Sequence, residues 1–154
     1  MITCGIDPGY DRLGVAIFDG QELIFSTCFT SAAKAPFADR LLDIGKQVQQ
    51  IFHHYRPVAV ALEELYFSKN QTTALKVAEA RGLVTYLAKE CGAEVYHYSP
   101  QAIKLSVAGY GNAPKEQVTT MTKRLVKLPH LPKYDDEYDA IAVALTHLSH
   151  HPTR

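Results

Sequence analysis

The sequence predicts a mixed α/β sheet covered by helices, and three observations carry that expectation. Residues 2–7, 13–18 and 23–30 are strand-like segments joined by short turns, and Asp19-Gly20 is a two-residue hairpin signal. From residue 37 onward, stretches with helical spacing alternate with short apolar runs bounded by helix breakers. Two of the apolar runs, 2–6 and 58–62, are followed at once by an acidic residue, Asp7 and Glu63, which marks strands that end at a polar site. Three antiparallel strands followed by alternating helices and parallel strands build one sheet with helices packed on it.

The elements follow in order. Residues 2–7 form a buried strand, and the next two strands complete an antiparallel meander. Alternation places Leu23, Phe25, Thr27 and Phe29 on one face of the third. Phe37, Leu41, Ile44, Val48 and Ile51 recur at helical spacing and define a long amphipathic helix. Pro57 blocks its continuation, and residues 58–62 are the fourth strand. Asn70 caps a second long helix that ends at Cys91-Gly92. Residues 94–98 are a short fifth strand. Ser99 and Pro100 start a helix as N-cap and first helical residue, and Gly109 and Gly111 end it. A helix over residues 114–126, a connection containing Pro129 and Pro132, and a helix over 136–149 complete the chain. Residues 1–154 read as a single domain with one core.

The connections on the two sides of the first strand diverge, so that strand is expected at the centre with the fourth parallel beside it. Open α/β sheets bind ligands at such a boundary, at the carboxyl ends of the strands. Asp7 and Glu63 both fall there. Alternation places Thr3, Gly5 and Asp7 on one face of the first strand, and Ala59, Ala61 and Glu63 on one face of the fourth. Glu64 falls on the other face. Asp136, Asp139, Ala140, Val143, Ala144 and His147 share one stripe of the last helix. Small residues against small residues would bring Asp139 near Asp7 and Glu63. Ile141, Leu145 and Leu148 form the opposite stripe. Converging carboxylates suit Mg²⁺ or Mn²⁺, which prefer hard oxygen ligands. Acidic residues in a first helical turn also complement the helix dipole, and Asp135 and Glu137 are read that way.

Nearly half the residues are apolar (47%) and 21% are charged, an ordinary globular profile. No apolar run approaches the roughly 20 residues of a membrane helix, and no cleavable leader is visible. Cys4, Cys28 and Cys91 lie far apart and make an odd set, which fits reduced thiols in a cytosolic protein rather than a disulfide framework. The formal net charge is zero, but Lys104, Lys115, Lys123, Arg124 and Lys127 precede the acidic group Asp135, Asp136, Glu137 and Asp139. Cations for phosphates beside carboxylates for metal is a nuclease layout, whereas solvated helix faces are the plain alternative. Lys104 and Lys115 flank the 109–111 turn, as phosphate ligands or as surface lysines. Tyr66 and Phe67 follow Glu63 in a loop, where they stack on exposed bases or anchor the loop. His147 lies about 12 Å along the helix from Asp139, too far to share its metal, and reads as a helix C-terminal cation or a packing residue.

The motifs Gly5-Ile6-Asp7-Pro8-Gly9, Glu63 with Phe67-Ser68-Lys69-Asn70, Ala74-Leu75-Lys76 and Ala80-Arg81-Gly82 occur in that order. Lys104, Val107, Gly109-Tyr110-Gly111 and Lys115 follow, then Asp136, Asp139-Ala140, Ala142 and residues 144–147. In these blocks the chain resembles the RuvC family of bacterial Holliday-junction resolvases over almost its whole length. The resemblance implies a ribonuclease H-like five-stranded mixed sheet and a catalytic, metal-binding tetrad of Asp7, Glu63, Asp136 and Asp139. It implies Lys104 and Lys115 near the scissile phosphate, and Tyr66 at a junction-contacting position. It further implies a homodimer built through the helix from Asn70, paired nicks in a four-way DNA junction, and a branch-migration helicase as partner. The expected cofactor is a pair of Mg²⁺ ions, or Mn²⁺, in a two-metal hydrolysis. Residues 10–15 are also similar to the YqgF-type nucleases that process RNA. An RNA-processing nuclease and a silent junction-binding module are therefore the alternatives, with an actin-like kinase lobe disfavoured because it needs a second lobe.

Overall fold

The computed structural model describes residues 1–66 and 70–152. Its elements are β1 (Ile2–Asp7), β2 (Arg12–Asp19), β3 (Glu22–Thr30), α1 (Phe37–Tyr55), β4 (Ala59–Glu63), α2 (Gln71–Glu90), β5 (Glu94–Tyr98), α3 (Pro100–Ala108), α4 (Lys115–Leu125) and α5 (Asp135–His150). The strands form a single sheet in the order β3-β2-β1-β4-β5. β1 is central, antiparallel to β2 and parallel to β4, and β4 is parallel to β5. Predicted caps are in place: the side chains of Asn70 and Ser99 accept from the backbone N–H of Thr73 and Ala102, and Pro100 opens α3.

Two layers cover the sheet. On one face Cys4, Ile6, Val15 and Leu62 pack with Ile44, Val48 and Phe52 of α1 and Val84 of α2. The α1 stripe is rotated slightly from expectation: Phe52 is fully buried, while Leu41 and Ile51 are half-buried. On the other face lie α3, α4 and α5. α5 reaches the sheet because the strands beneath it are stripped of side chains. A Cβ on Gly5 would lie 2.7 Å from Cβ of Ala144, and one on Gly14 would lie 2.5 Å from the carbonyl carbon of Asp136. The small-against-small packing read from the sequence is therefore how α5 seats itself over β1 and β2.

Two strand details differ from the sequence reading. The hairpin loop is Gly20-Gln21, with Asp19 and Glu22 paired across it. A bulge between Ile17 and Phe18 pairs Phe18 with Leu23 and Ile17 with Phe25. Ile24 is thus unpaired, and Leu23 turns to the α5 side with Ala16 and Phe18 while Phe25 and Phe29 face α1. An extra residue in one strand inverts the alternation beyond it, which simple period-two counting misses. The same inversion places Ser26, 2% exposed, under α5.

Candidate active site

Asp7 and Glu63 are the last residues of the adjacent parallel strands β1 and β4, which pair from Thr3↔Ala59 to Ile6↔Leu62. Asp136 and Asp139 lie in the first turns of α5, which packs on the same face. Asp7 titrates well above the usual carboxylate range, first because it is buried and then because Asp139, Asp136 and Glu63 surround it with like charge. Glu63 is raised by burial and by Asp139. Asp139 is raised by burial as well, against the lowering effect of Lys115. The structure thus brings all four sequence-predicted carboxylates into one electrostatic cluster, with Asp7 at its centre.

A cleft beside this cluster is lined by Glu63, Lys104, Lys115, Asp139 and Val143. The Nζ of Lys115 lies 3.3 Å from Oδ2 of Asp139 and 3.8 Å from Oδ2 of Asp135. Burial pulls the Lys115 ammonium down, but Asp139, Asp135 and Asp7 outweigh it and its pKa is raised. Both predicted lysines therefore share the cleft with two of the carboxylates. Tyr66 does not. Its exposed ring lies outside this lining, and its hydroxyl donates to Glu64 at 2.8 Å. Phe67, with Ser68 and Lys69, lies outside the described residues.

Among the described residues, no three His, Cys, Asp or Glu side chains are drawn around a common cation position. Two of the four carboxylates are instead held by cations: Lys115 pairs with Asp139, and Nε of Arg12 donates to Oδ2 of Asp136 at 2.8 Å. The donor chemistry nevertheless fits a divalent cation. Hard oxygens converge, and at Asp7 the like charges of Asp139, Asp136 and Glu63 add to burial in raising the pKa, with only Lys115 acting against them.

Several supporting roles were not read in the sequence. Arg40, 8% exposed, pairs with Asp11, and its Nε donates to Ser31 Oγ at 3.0 Å. These bonds fix the loop that follows Asp7. Arg81 donates to the backbone carbonyl of Glu63 and contacts Nδ1 of His97 at 3.1 Å, holding the end of β4 from the α2 side. It lies three and seven residues before the buried Val84 and Ala88, so a charge on an apolar stripe was its visible signal. Glu137 corrects the sequence reading: it is 3% exposed and bonded to Ser26 and His130, not a solvated partner of the helix dipole. Counting back four residues from Ile141 along the second stripe would have found it. His147 is a packing residue and not a cation. Its Nδ1 is 2.8 Å from the Tyr98 hydroxyl, and burial with His151 and His150 nearby brings its pKa down to about 4.

The sheet order, the helix crossing β1 and the carboxylate cluster together define a ribonuclease H-like nuclease fold with an acidic site. The family model for crossover junction endodeoxyribonuclease RuvC matches residues 3–147. The chain belongs to that endonuclease family. It is 39% identical over 155 residues to a crossover junction endodeoxyribonuclease RuvC of Ruminiclostridium cellulolyticum, covering 98% of this chain and 93% of that protein. A RuvC of Desulfitobacterium hafniense is also 39% identical, over 96% of this chain and 92% of the relative. Among solved structures, T. thermophilus RuvC in complex with a Holliday junction substrate superposes with TM-score 0.88 at 35% identity, covering 96% of this chain and 92% of that one. The yeast mitochondrial Holliday junction resolvase Ydc2 shares the fold, with TM-score 0.66 at 13% identity over 97% of this chain and 80% of that one.

Proposed function

We propose that this protein cleaves four-way DNA junctions by paired, symmetric nicks, with Asp7, Glu63, Asp136 and Asp139 holding two divalent cations, Mg²⁺ or Mn²⁺. The observation that carries the reading is the acidic cluster at the carboxyl ends of β1 and β4, beside Lys104 and Lys115, in a chain of the RuvC family. When bound, the cations supply a water of lowered pKa and stabilise the leaving 3′ oxygen. Asp7, from the central strand and at the centre of the cluster, would hold the cations together with the other three. Lys115 and Lys104 neutralise charge on the phosphate in the cleft. Arg12 pairs with Asp136 and Lys115 with Asp139, so these two cations offset part of the charge of the acidic cluster.

Residues 1–154 act as one nuclease domain, and two copies form the working particle, because paired nicks need two sites. Leu75 and Tyr86 of α2 and Leu42 of α1 are exposed apolar side chains that support a dimer through this face. Tyr66 contacts the junction, and a branch-migration helicase is the partner of the complex. The proposed place of action is the cytoplasm; among the described residues no helix is long and apolar enough to cross a membrane.

The test is cleavage of a synthetic four-way junction with end-labelled strands in Mg²⁺, beside linear duplex and an RNA hairpin. Paired nicks confined to the junction and absent in Asp7→Asn are expected, with junction binding retained by that variant. Cleavage of the RNA alone, or equal loss of binding and cleavage in Asp7→Asn, would refute the assignment.

A further inference from the structure

We propose that Glu137 is a positioning residue: through Ser26 and His130 it fixes how the first turn of α5 presents Asp136 and Asp139. The inference rests on the reading that these two aspartates are metal ligands. Glu137 sits between them in sequence yet points away from the cleft into the protein. Its Oε1 accepts from Ser26 Oγ at 2.5 Å, and Nε2 of His130 lies 2.7 Å from the same oxygen. Ser26 is 2% exposed and Glu137 is 3% exposed, whereas Asp135, two residues before it, is exposed.

A buried carboxylate is costly unless it is paired, and an apolar side chain would fill this space more simply. Complementing the helix dipole does not require burial, since exposed Asp135 already does that. Direction is what the carboxylate adds. α5 lies on Gly5, Gly14 and Ala16, and such smooth contacts let a helix come close without fixing its rotation. A hydrogen bond to β3, on the far side of β2, sets that rotation relative to the sheet. His130 ties the connection between α4 and α5 to the same atom. Asp136 and Asp139 precede and follow Glu137 within one turn, so a helix that turns or slides moves both carboxylates relative to Asp7 and Glu63. Groups that orient metal ligands are commonly worth about 10- to 100-fold in metal affinity.

The test compares Ser26→Ala, Glu137→Ala and Glu137→Gln with Asp139→Asn and wild type. Two quantities are read: the Mn²⁺ concentration giving half the maximal rise in melting temperature, and the Mg²⁺ concentration for half-maximal junction cleavage. Glu137→Ala and Ser26→Ala should each shift both midpoints upward by roughly 10-fold. Glu137→Gln, which keeps the acceptor oxygen for Ser26, should restore most of the loss. Equal midpoints in wild type and Ser26→Ala would overturn the proposal, and so would a Glu137→Gln defect as large as that of Glu137→Ala, which would make Glu137 a charge and not an anchor. Should Glu137→Ala fail to fold, Ser26→Ala and Glu137→Gln decide alone. Full activity of Asp139→Asn would instead refute the metal-ligand reading beneath the proposal.

Discussion

Replacing Gly14 by alanine tests whether close seating of α5 places the acidic site. Gly14 lies in β2, paired with Asp7 on one side and Cys28 on the other. Its added Cβ would fall 2.5 Å from the carbonyl carbon of Asp136 and nearer still to its carbonyl oxygen, and ordinary contact begins at 3.4 Å, so something must give by at least about 0.9 Å. The obstacle is backbone, not the end of a flexible side chain. β2 is locked between two strands, so the first turn of α5 is the part that retreats, carrying Asp136 and Asp139 with it. A misplacement of about 1 Å in groups that position a reaction can cost about 10²-fold in rate. Overpacking itself costs about 1–3 kcal/mol, and each kcal/mol lowers the melting temperature of a chain this size by about 2–4 °C. Single-turnover cleavage of an end-labelled four-way junction, at saturating protein and 10 °C or more below the melting transition, separates the two effects. The expected result is a fall of about 10²-fold in cleavage rate with junction binding retained. Cleavage within a factor of about two of wild type, with an unchanged melting temperature, would refute the idea that this contact positions the carboxylates.

Three further predictions address the charges. Asp7→Asn should raise the melting temperature of the metal-free protein at neutral pH, because it removes a half-buried, desolvated charge opposed by Asp139, Asp136 and Glu63. The sign follows from linkage: a carboxylate with a raised folded pKa costs stability as pH rises from its unfolded value through its folded value, so the gain should shrink as the metal-free protein is acidified. Arg12→Gln should lower the Mg²⁺ concentration for half-maximal cleavage by a factor of about two to five, since Asp136 loses a competing cation; an increase would show that Arg12 assists metal binding or catalysis instead. His147, held near pKa 4, binds fewer protons folded than unfolded between about pH 6.5 and 4, so its contribution is present above that window and lost as pH falls through it. Thermal melts of His147→Leu across that range should fall less steeply than wild type, by up to about 3 kcal/mol in stability at the acid end; parallel curves would argue against a buried neutral imidazole.

Local chemistry made much of this protein legible in advance. Asn70, Ser99 and Pro100 mark helix starts through bonds made within a turn, and the structure has all three in place. Gly5 beneath Ala140 and Ala144, and Ala61 in the cluster of Val143, announced a close helix on the face that carries Asp7 and Glu63. These signals depend on the identity of a residue and its near neighbours, and so survive in one dimension. The sequence by itself therefore determined the element order, the strands that end in carboxylates and the helix that meets them. Tertiary structure alone decided what depends on partners far along the chain. The bulge that turns Ser26 inward is a property of two strands together. The pairing of Ser26 with Glu137 spans 111 residues, and that of Arg12 with Asp136 spans 124. An acidic residue in a first helical turn looks the same whether it faces water or the core. Only its distant partners determine whether the cost of burying its charge is met, and for Glu137 those partners are Ser26 and His130.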